Sequence, residues 1–309
     1  MILSNADSIK LGSSNVEKAY FGNNLIFTKS FLGEFPTAAV AYSLRNLTTQ
    51  TPNVIRVQKT GGAERDFTAA ELTDGTLESW VGSGNDGYLI KWYDQSGNDN
   101  HATASTAGSS PSEALHSKVV SGGTYLGKID IEAGNGLELD TRVPAAPPIS
   151  VFAVYAGQGN IAASFGSMFY PTIAGSKNNG AGAIKYYMSN GANLFSSDDH
   201  PSSATTTATT WVFNGDNSRI IQSDGTTTSG PAGDGTTSSN TNAGIQYVFG
   251  DGGINTVFQD AFEIIIYTSD QFDHLRETDQ IDNIRANQKA YYSISYSIKG
   301  QILYPFDQH

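Results

Sequence analysis

The sequence predicts an all-β jelly-roll sandwich, and three observations predict it. Gly (33), Tyr (15) and Phe (15) are abundant while charged residues make up 16 % of the 309; that mixture suits short strands joined by many turns and lacks the helix formers of a bundle. Runs of β-branched and aromatic residues recur at short intervals between stretches of Gly, Asn, Ser and Thr, with almost no helical period between them. Finally, 38 % hydrophobic residues is too apolar for disorder, and the length accommodates one large sandwich or two modest domains. Three segments follow: a β anchor over 1–35, the sandwich over 36–299, and a tail over 300–309.

The first segment contains a repeat. Ile9-Lys10-Leu11-Gly12-Ser13-Ser14-Asn15-Val16 lines up with Ala19-Tyr20-Phe21-Gly22-Asn23-Asn24-Leu25-Ile26. Each copy reads strand, polar turn, strand, and so predicts a β-hairpin too small to fold alone. The hairpins either edge the sandwich or anchor it to a larger assembly, in which case Ile9, Leu11, Val16, Tyr20, Phe21, Leu25 and Ile26 are the contact residues.

After Pro36 come strands at Val40–Leu44 and Val54–Val57, and Gly61-Gly62 turns the latter back towards Phe67, since paired glycines reach the positive φ of tight hairpins. Ala69-Ala70-Glu71-Leu72 reads as one helical turn. Tyr88–Tyr93 is a strong strand running into the polar turn Asp94-Gln95-Ser96-Gly97-Asn98, and residues 102–123 read as a surface loop. Ile149–Tyr155 is apolar on both faces, as a strand covered on both sides must be.

Further strands are expected at Ala183–Met188, Thr210–Phe213, Arg219–Gln222, Ile245–Phe249 and Phe262–Tyr267, with an exposed loop or hairpin tip between Gly225 and Asn242. One helix is expected, about His274 to Tyr291, with Leu275, Ile281, Ile284 and Tyr291 on its apolar face and Asp270 or Asp273 as cap.

Charge and composition exclude several functions. A net charge of −12 with no Lys/Arg cluster opposes binding to a phosphate backbone, so no nucleic-acid partner is expected. The chain has no cysteine, which removes disulfides, thiolate metal sites and a Cys nucleophile. No run approaches the ~20 apolar residues of a membrane span, so no membrane insertion is expected. Met1-Ile2-Leu3-Ser4-Asn5-Ala6-Asp7 lacks the basic start and apolar run of an export signal; with composition of extracellular type, this points to release by lysis, as from a virus.

Trp92-Tyr93-Asp94-Gln95-Ser96-Gly97-Asn98-Asp99-Asn100-His101 resembles the Y-D-Q-S-G-x-G-N-H element of the arabinofuranosidase B catalytic domain, a concanavalin A-like sandwich of glycoside hydrolase type. Ala41–Leu44 and Val54–Val57, with the hairpin towards Asp66-Phe67, are similar to that family's opening strands. Gln259 to Gln271 resembles the closing strand of LamG-like modules in bacteriophage tail-fibre and virion surface proteins, and the repeat over Ile9–Phe27 resembles their leaders. The likeness spans roughly residues 38–295. It implies a virion structural protein, such as a capsid decoration, head fibre or tail adhesin, on the virion surface. Its implied partners are capsid or tail proteins and a host cell-surface glycan, and its implied assembly is a homotrimer. The alternative is a carbohydrate-binding module or an arabinofuranosidase-like glycoside hydrolase.

Glycosidases need two carboxyls about 5–10 Å apart. Where the family places its acid/base Asp in G-G-D-N, this chain has Gly252-Gly253-Ile254-Asn255. Asp251 lies three residues earlier, and nothing matches the family's nucleophile Glu, so the expectation is a chain that is not an enzyme; Asp251 and Glu263 are the residues a hydrolysis assay would test. No H-E-x-x-H or G-x-S-x-G occurs among the scattered histidines and serines.

For carbohydrate binding the candidates are Trp80, Tyr186, Tyr187, Asp198 and Asp199. Flat aromatic faces fit the C–H faces of pyranoses, and Trp80 adjoins the flexible Gly82-Ser83-Gly84. Trp92 reads as core, while Trp211 is a further residue that could stack on a sugar if exposed. Asp94, Asn98, Asp99 and Asn100 place oxygen ligands in one turn, as Ca²⁺ prefers, although Asx side chains also stabilise turns unaided. No other cofactor is expected.

Overall fold

A computed structural model describes residues 30–104, 117–131, 137–144, 148–157, 206–214, 218–222, 227–230, 244–249, 259–269, 271 and 280–294, and, as backbone strands alone, segments within 9–28 and 159–201. All strand pairings among them are antiparallel, and nineteen strands form one hydrogen-bonded network that folds over into two layers. The chain is therefore an all-β sandwich.

The first layer runs Thr227–Gly230, Ser218–Ile221, Thr207–Phe213, Ile149–Gly157, Gln259–Tyr267, Val40–Ser43. The second runs Glu64–Thr68, Asn53–Lys59, Gly87–Trp92, Ala102–Ala104, Leu137–Pro144, Gly244–Val248 and continues through Gly159–Ala163, Ile173–Asn178 and Ala183–Ser189. One hairpin, Lys118–Ser121 with Thr124–Ile131, bridges the layers: its first strand pairs with Gly87–Trp92 and its second with Gln259–Tyr267.

Alternation along each strand fills the space between the layers. Ile149, Val151, Ala153 and Tyr155 point inward with Trp211, Ile264 and Ile266 from one layer, and meet Ile55, Val57, Phe67, Trp92, Leu137 and Val248 from the other. Phe152 points the opposite way and joins a second core with Val212, Ile265, Tyr267, Phe31, Phe35, Ile281 and Ile284. The helix Phe31–Glu34 with its C-cap Phe35, and the helix Gln280–Tyr291, supply the last four of these residues and cover the first layer's outer face. This explains the doubly apolar Ile149–Tyr155 sequence. Each large side chain so enclosed stabilises the fold by roughly 1.5–3 kcal/mol. Phe31 and Phe35 are buried in this second core, so the packing of the sandwich begins ahead of residue 36.

The Gly61-Gly62 hairpin forms as the sequence predicts: Asn53–Lys59 pairs with Glu64–Thr68, and the glycines take φ of 95° and 89°. Ile9–Leu11 pairs with Ser14–Val16 and Lys18–Phe21 with Asn24–Thr28, each a separate two-stranded ribbon.

Several local expectations need correction. Residues 102–123 are not simply a loop: Ala102–Ala104 and Lys118–Ser121 are strands, with Ala102, Val119 and Val120 fully buried, because three small apolar side chains suffice where the strands face the core. Strands Thr124–Ile131 and Leu137–Pro144 were not anticipated. Thr227–Gly230 within the polar stretch is an edge strand on Ser218–Ile221. Among the described residues there are four helices, two more than the turn at Ala69–Leu72 and the C-terminal helix that the sequence predicts. Thr68 and Glu71 form a capping box that starts Ala69–Thr73, and a further helix spans Thr76–Val81; the T-x-x-E spacing was the available signal. The C-terminal helix buries Ile281 and Ile284 as expected, but Tyr291 is 56 % exposed. Leu275, Asp270 and Asp273 lie outside the described residues.

Candidate functional site

The motif Trp92–His101 folds as a corner, and nearly every polar atom in it is committed to the backbone. Asp94 accepts hydrogen bonds from the amides of Ala41 (2.8 Å), Ser96 (2.9 Å) and Asn100 (3.2 Å), and from the Ser96 hydroxyl (2.7 Å). The Gln95 side chain donates to the carbonyls of Ser43 and Arg45 and accepts from the Leu47 amide. Asn98 donates to the carbonyls of Ala38 and Ala39, while Asn100 exchanges two 2.7 Å bonds with the backbone of Thr141. Tyr42, whose hydroxyl donates to the Asn100 carbonyl, has a pKa held well above the ordinary value by burial and then by the charges of Asp94 and Asp140. The corner thus staples Val40–Ser43, Gly87–Trp92 and Leu137–Pro144 together. Of the cation candidates Asp94, Asn98 and Asp99, the first two are occupied in this way and Asp99 is exposed in a left-handed conformation (φ 54°). Among the described residues no group of three or more His, Cys, Asp or Glu side chains is arranged to hold a metal.

Glu263 is a second structural carboxylate. It is fully buried and takes Arg45 bidentately, Nε to Oε2 at 2.7 Å and Nη2 to Oε1 at 3.0 Å. The Ser43 hydroxyl (2.7 Å), the Gln288 amide (3.1 Å) and the Tyr292 hydroxyl (3.3 Å) complete the cage. Arg45 also donates to Asn287 and lies 4.6 Å from the ring centroid of Tyr291 and 5.2 Å from that of Phe31. The ion pair therefore clips both outer helices onto the first layer. A carboxylate so enclosed cannot reach a leaving-group oxygen.

The second layer's outer face is different. Its inward residues Ile55, Phe67, Trp92, Ala102, Leu137 and Leu139 belong to the core, which leaves their neighbours facing solvent. Pairing register places Asp66, Arg56, Lys91, Thr103 and Glu138 in one partly exposed row across five strands, ending against the buried Tyr247 on a sixth. Arg56 grips Asp66 through two bonds (2.7 and 3.0 Å), and the Tyr93 hydroxyl donates to Asp66 at 2.8 Å. The Arg56 hydrogen bond, reinforced by Tyr93, holds the Asp66 carboxyl below the usual range. Burial and that same bond push Tyr93 up to about 12. The Tyr93 ring is fixed against His101, edge to face at 4.9 Å. His101 accepts the Asp94 amide at Nδ1 (3.2 Å), so its neutral ring carries the proton on Nε2. Farther along, Glu138 receives a 2.6 Å bond from Gln246.

This row was legible only in fragments. Period-two alternation marks Arg56 and Gln58 as outward, but the neighbours of Arg56 on other strands are set by register. Trp80 is half-buried: its ring meets Phe67 edge-on at 5.3 Å and the Lys59 ammonium at 4.9 Å, so contacts within the domain occupy it. Trp92 and Trp211 are fully buried. Tyr186 and Tyr187 lie on the strand Ala183–Ser189, opposite Ser176 and Gly175. Asp198, Asp199, Asp251 and Gly252–Asn255 lie outside the described residues, as do the side chains of the seven anchor candidates.

The carboxylates of the row cannot form a glycosidase pair. Asp66 and Glu138 stand four strand spacings apart, about 19 Å, beyond the separation that chemistry allows.

No family model matches the sequence, and no curated protein does. Solved structures do match the fold. One is an arabinofuranosidase complexed with arabinofuranosyl-α-1,2-xylobiose, with a TM-score of 0.60 at 16 % identity over 81 % of this chain. Others are a GH54 α-L-arabinofuranosidase variant soaked with 4-nitrophenyl α-L-arabinofuranoside and the same type of enzyme soaked with a cyclic sulfate inhibitor, at TM-scores of 0.59 and identities of 16 % and 15 %. The chain spans 62 % of the length of these enzymes. This likeness overturns the expectation that the chain is not an enzyme: an architecture shared with glycoside hydrolases over four-fifths of the chain removes the ground for that exclusion. At this identity the likeness establishes the β-sandwich fold.

Proposed function

We propose that this chain is a carbohydrate-recognising β-sandwich of arabinofuranosidase-like architecture, with the saccharide lying across the outer row of the second layer. One observation carries the reading. The first layer's outer face is sealed by two helices around Phe31, Phe35, Ile281 and Ile284, whereas the second layer's outer face presents Arg56, Lys91, Tyr93, His101, Thr103 and Glu138, all partly exposed. Such a strip offers donors, acceptors and an aromatic ring on rigid strands, as sugar hydroxyls and C–H faces require. The fold likeness to enzymes solved with arabinofuranosides supports the same substrate class. The test is retention of the full chain in gels containing soluble arabinan or arabinoxylan, beside release of nitrophenol from 4-nitrophenyl α-L-arabinofuranoside. Retention by at least one polysaccharide is expected. Free migration through every polysaccharide, with no turnover, would overturn the proposal.

A second reading, attachment of this domain to a larger particle such as a bacteriophage virion, is favoured by the leading hairpins. Among the described pairings each is bonded only within itself, as a segment reserved for another partner would be. Removing residues 1–28 tests it: incorporation into particles should be lost while the sandwich stays folded, and unchanged incorporation would dismiss the anchor.

A further inference from the structure

Within the row, Arg56 and Lys91 are direct cross-strand partners. Like charges placed so are mutually destabilising, and a chain of net charge −12 has ample acidic residues to separate them. The charge of Asp66 reaches both, but only one of the two is in direct contact with a carboxylate. Arg56 is held bidentately by Asp66, whereas Lys91 forms no ion pair among the described residues; its ammonium lies 5.9 Å from the Tyr93 ring centroid. On its other side Lys91 pairs with Thr103, and the nearest carboxylate in that direction, Glu138, is two strands away, about 10 Å, and already bonded to Gln246. His101 packs against the braced ring of Tyr93, and Thr103 lies opposite Lys91 on the next strand; both are partly exposed.

We infer that Lys91 is the anchoring cation of a subsite for an acidic saccharide, one bearing a carboxylate or a sulfate, with Tyr93 under the sugar ring and His101 and Thr103 donating to or accepting from its hydroxyls. Lysine presents a compact charge suited to a single anionic group, and such a group would also relieve the repulsion from Arg56. The inference rests on the carbohydrate reading above and narrows it to a class of ligand.

Matched polysaccharide pairs provide the test: polygalacturonate against its methyl ester, and dextran sulfate against dextran, each titrated with the full chain. Tighter binding of at least one acidic member is expected, weakening as salt is raised. Lys91→Gln should reduce that affinity about tenfold or more, the loss of one charge-assisted hydrogen bond. Lys128→Gln, which removes the same charge from an ion pair with Asp260 on another strand, should change it less than about twofold, within the scatter of independent sites. Equal affinity for both members of each pair, or an unaffected Lys91→Gln, overturns the subsite. Retention by neutral arabinan alone would overturn it while leaving the carbohydrate reading intact. Binding to no polysaccharide would remove both.

Discussion

The corner at Asp94–His101 and the row at Arg56–Lys91 adjoin one another, are similarly polar, and differ in how their charges are met. At the corner four donors converge on Asp94, and Asn98 and Asn100 are turned onto backbone groups. In the row an arginine and a lysine face each other, and the one aspartate beside them, on the far side of the arginine, is bonded to the arginine. The lesson is that a polar cluster with distinctive sequence is not thereby a site. Saturated hydrogen bonding marks a device that holds strands together, and an unmatched charge on a rigid, partly exposed surface marks a place where something else can bind. The Arg45–Glu263 clip belongs with the corner.

Perturbing each region should separate them, and the largest effect belongs to the clip. Glu263→Ala leaves the Arg45 guanidinium buried without its counter-charge and should destabilise the fold by about 3–5 kcal/mol in urea unfolding. Asp94→Ala strands three backbone amides at the corner and should lose about 3 kcal/mol. Asp66→Asn, at an ion pair whose partners are 38 % and 29 % exposed, should lose less than about 1 kcal/mol at pH 7. The sign of its pH dependence follows from a depressed carboxyl. The stabilisation is complete above the unfolded value of about 3.9 and disappears as pH falls through the lower folded value. The melting temperatures of wild type and Asp66→Asn should therefore converge in that acidic range. Smallest is Lys91→Gln, which should change stability by no more than about 0.5 kcal/mol and in the stabilising direction, since it removes the repulsion from Arg56.

The sandwich was legible because its signals are local. Alternation, doubly apolar Ile149–Tyr155 and the Gly61-Gly62 turn each predict their element without reference to the rest of the chain. What escaped was set by distant neighbours. Ala102 and Val119-Val120 carry too little apolar length to announce a strand, and become strands because Leu137–Pro144, Gly87–Trp92 and Thr124–Ile131 offer them edges. The Trp92–His101 motif indicated the fold, yet which backbone groups its Asp and Asn side chains meet, up to sixty residues away, was not legible in it. The row was hidden for the same reason. Arg56 and Lys91 are 35 positions apart in sequence, and only the register, with bulges between Arg56 and Val57 and between Asn53 and Ile55, brings them face to face.

The most direct test puts Asp94→Ala and Lys91→Gln through the same two assays, thermal unfolding and retention in gels cast with the matched acidic and neutral polysaccharides, at a temperature where both variants are folded. The account predicts that Asp94→Ala melts far lower yet is still retained, while Lys91→Gln melts as the wild type does and migrates freely past the acidic polymer. Retention of Lys91→Gln equal to wild type, or its loss in Asp94→Ala alone, would contradict the assignment of structure to the corner and recognition to the row.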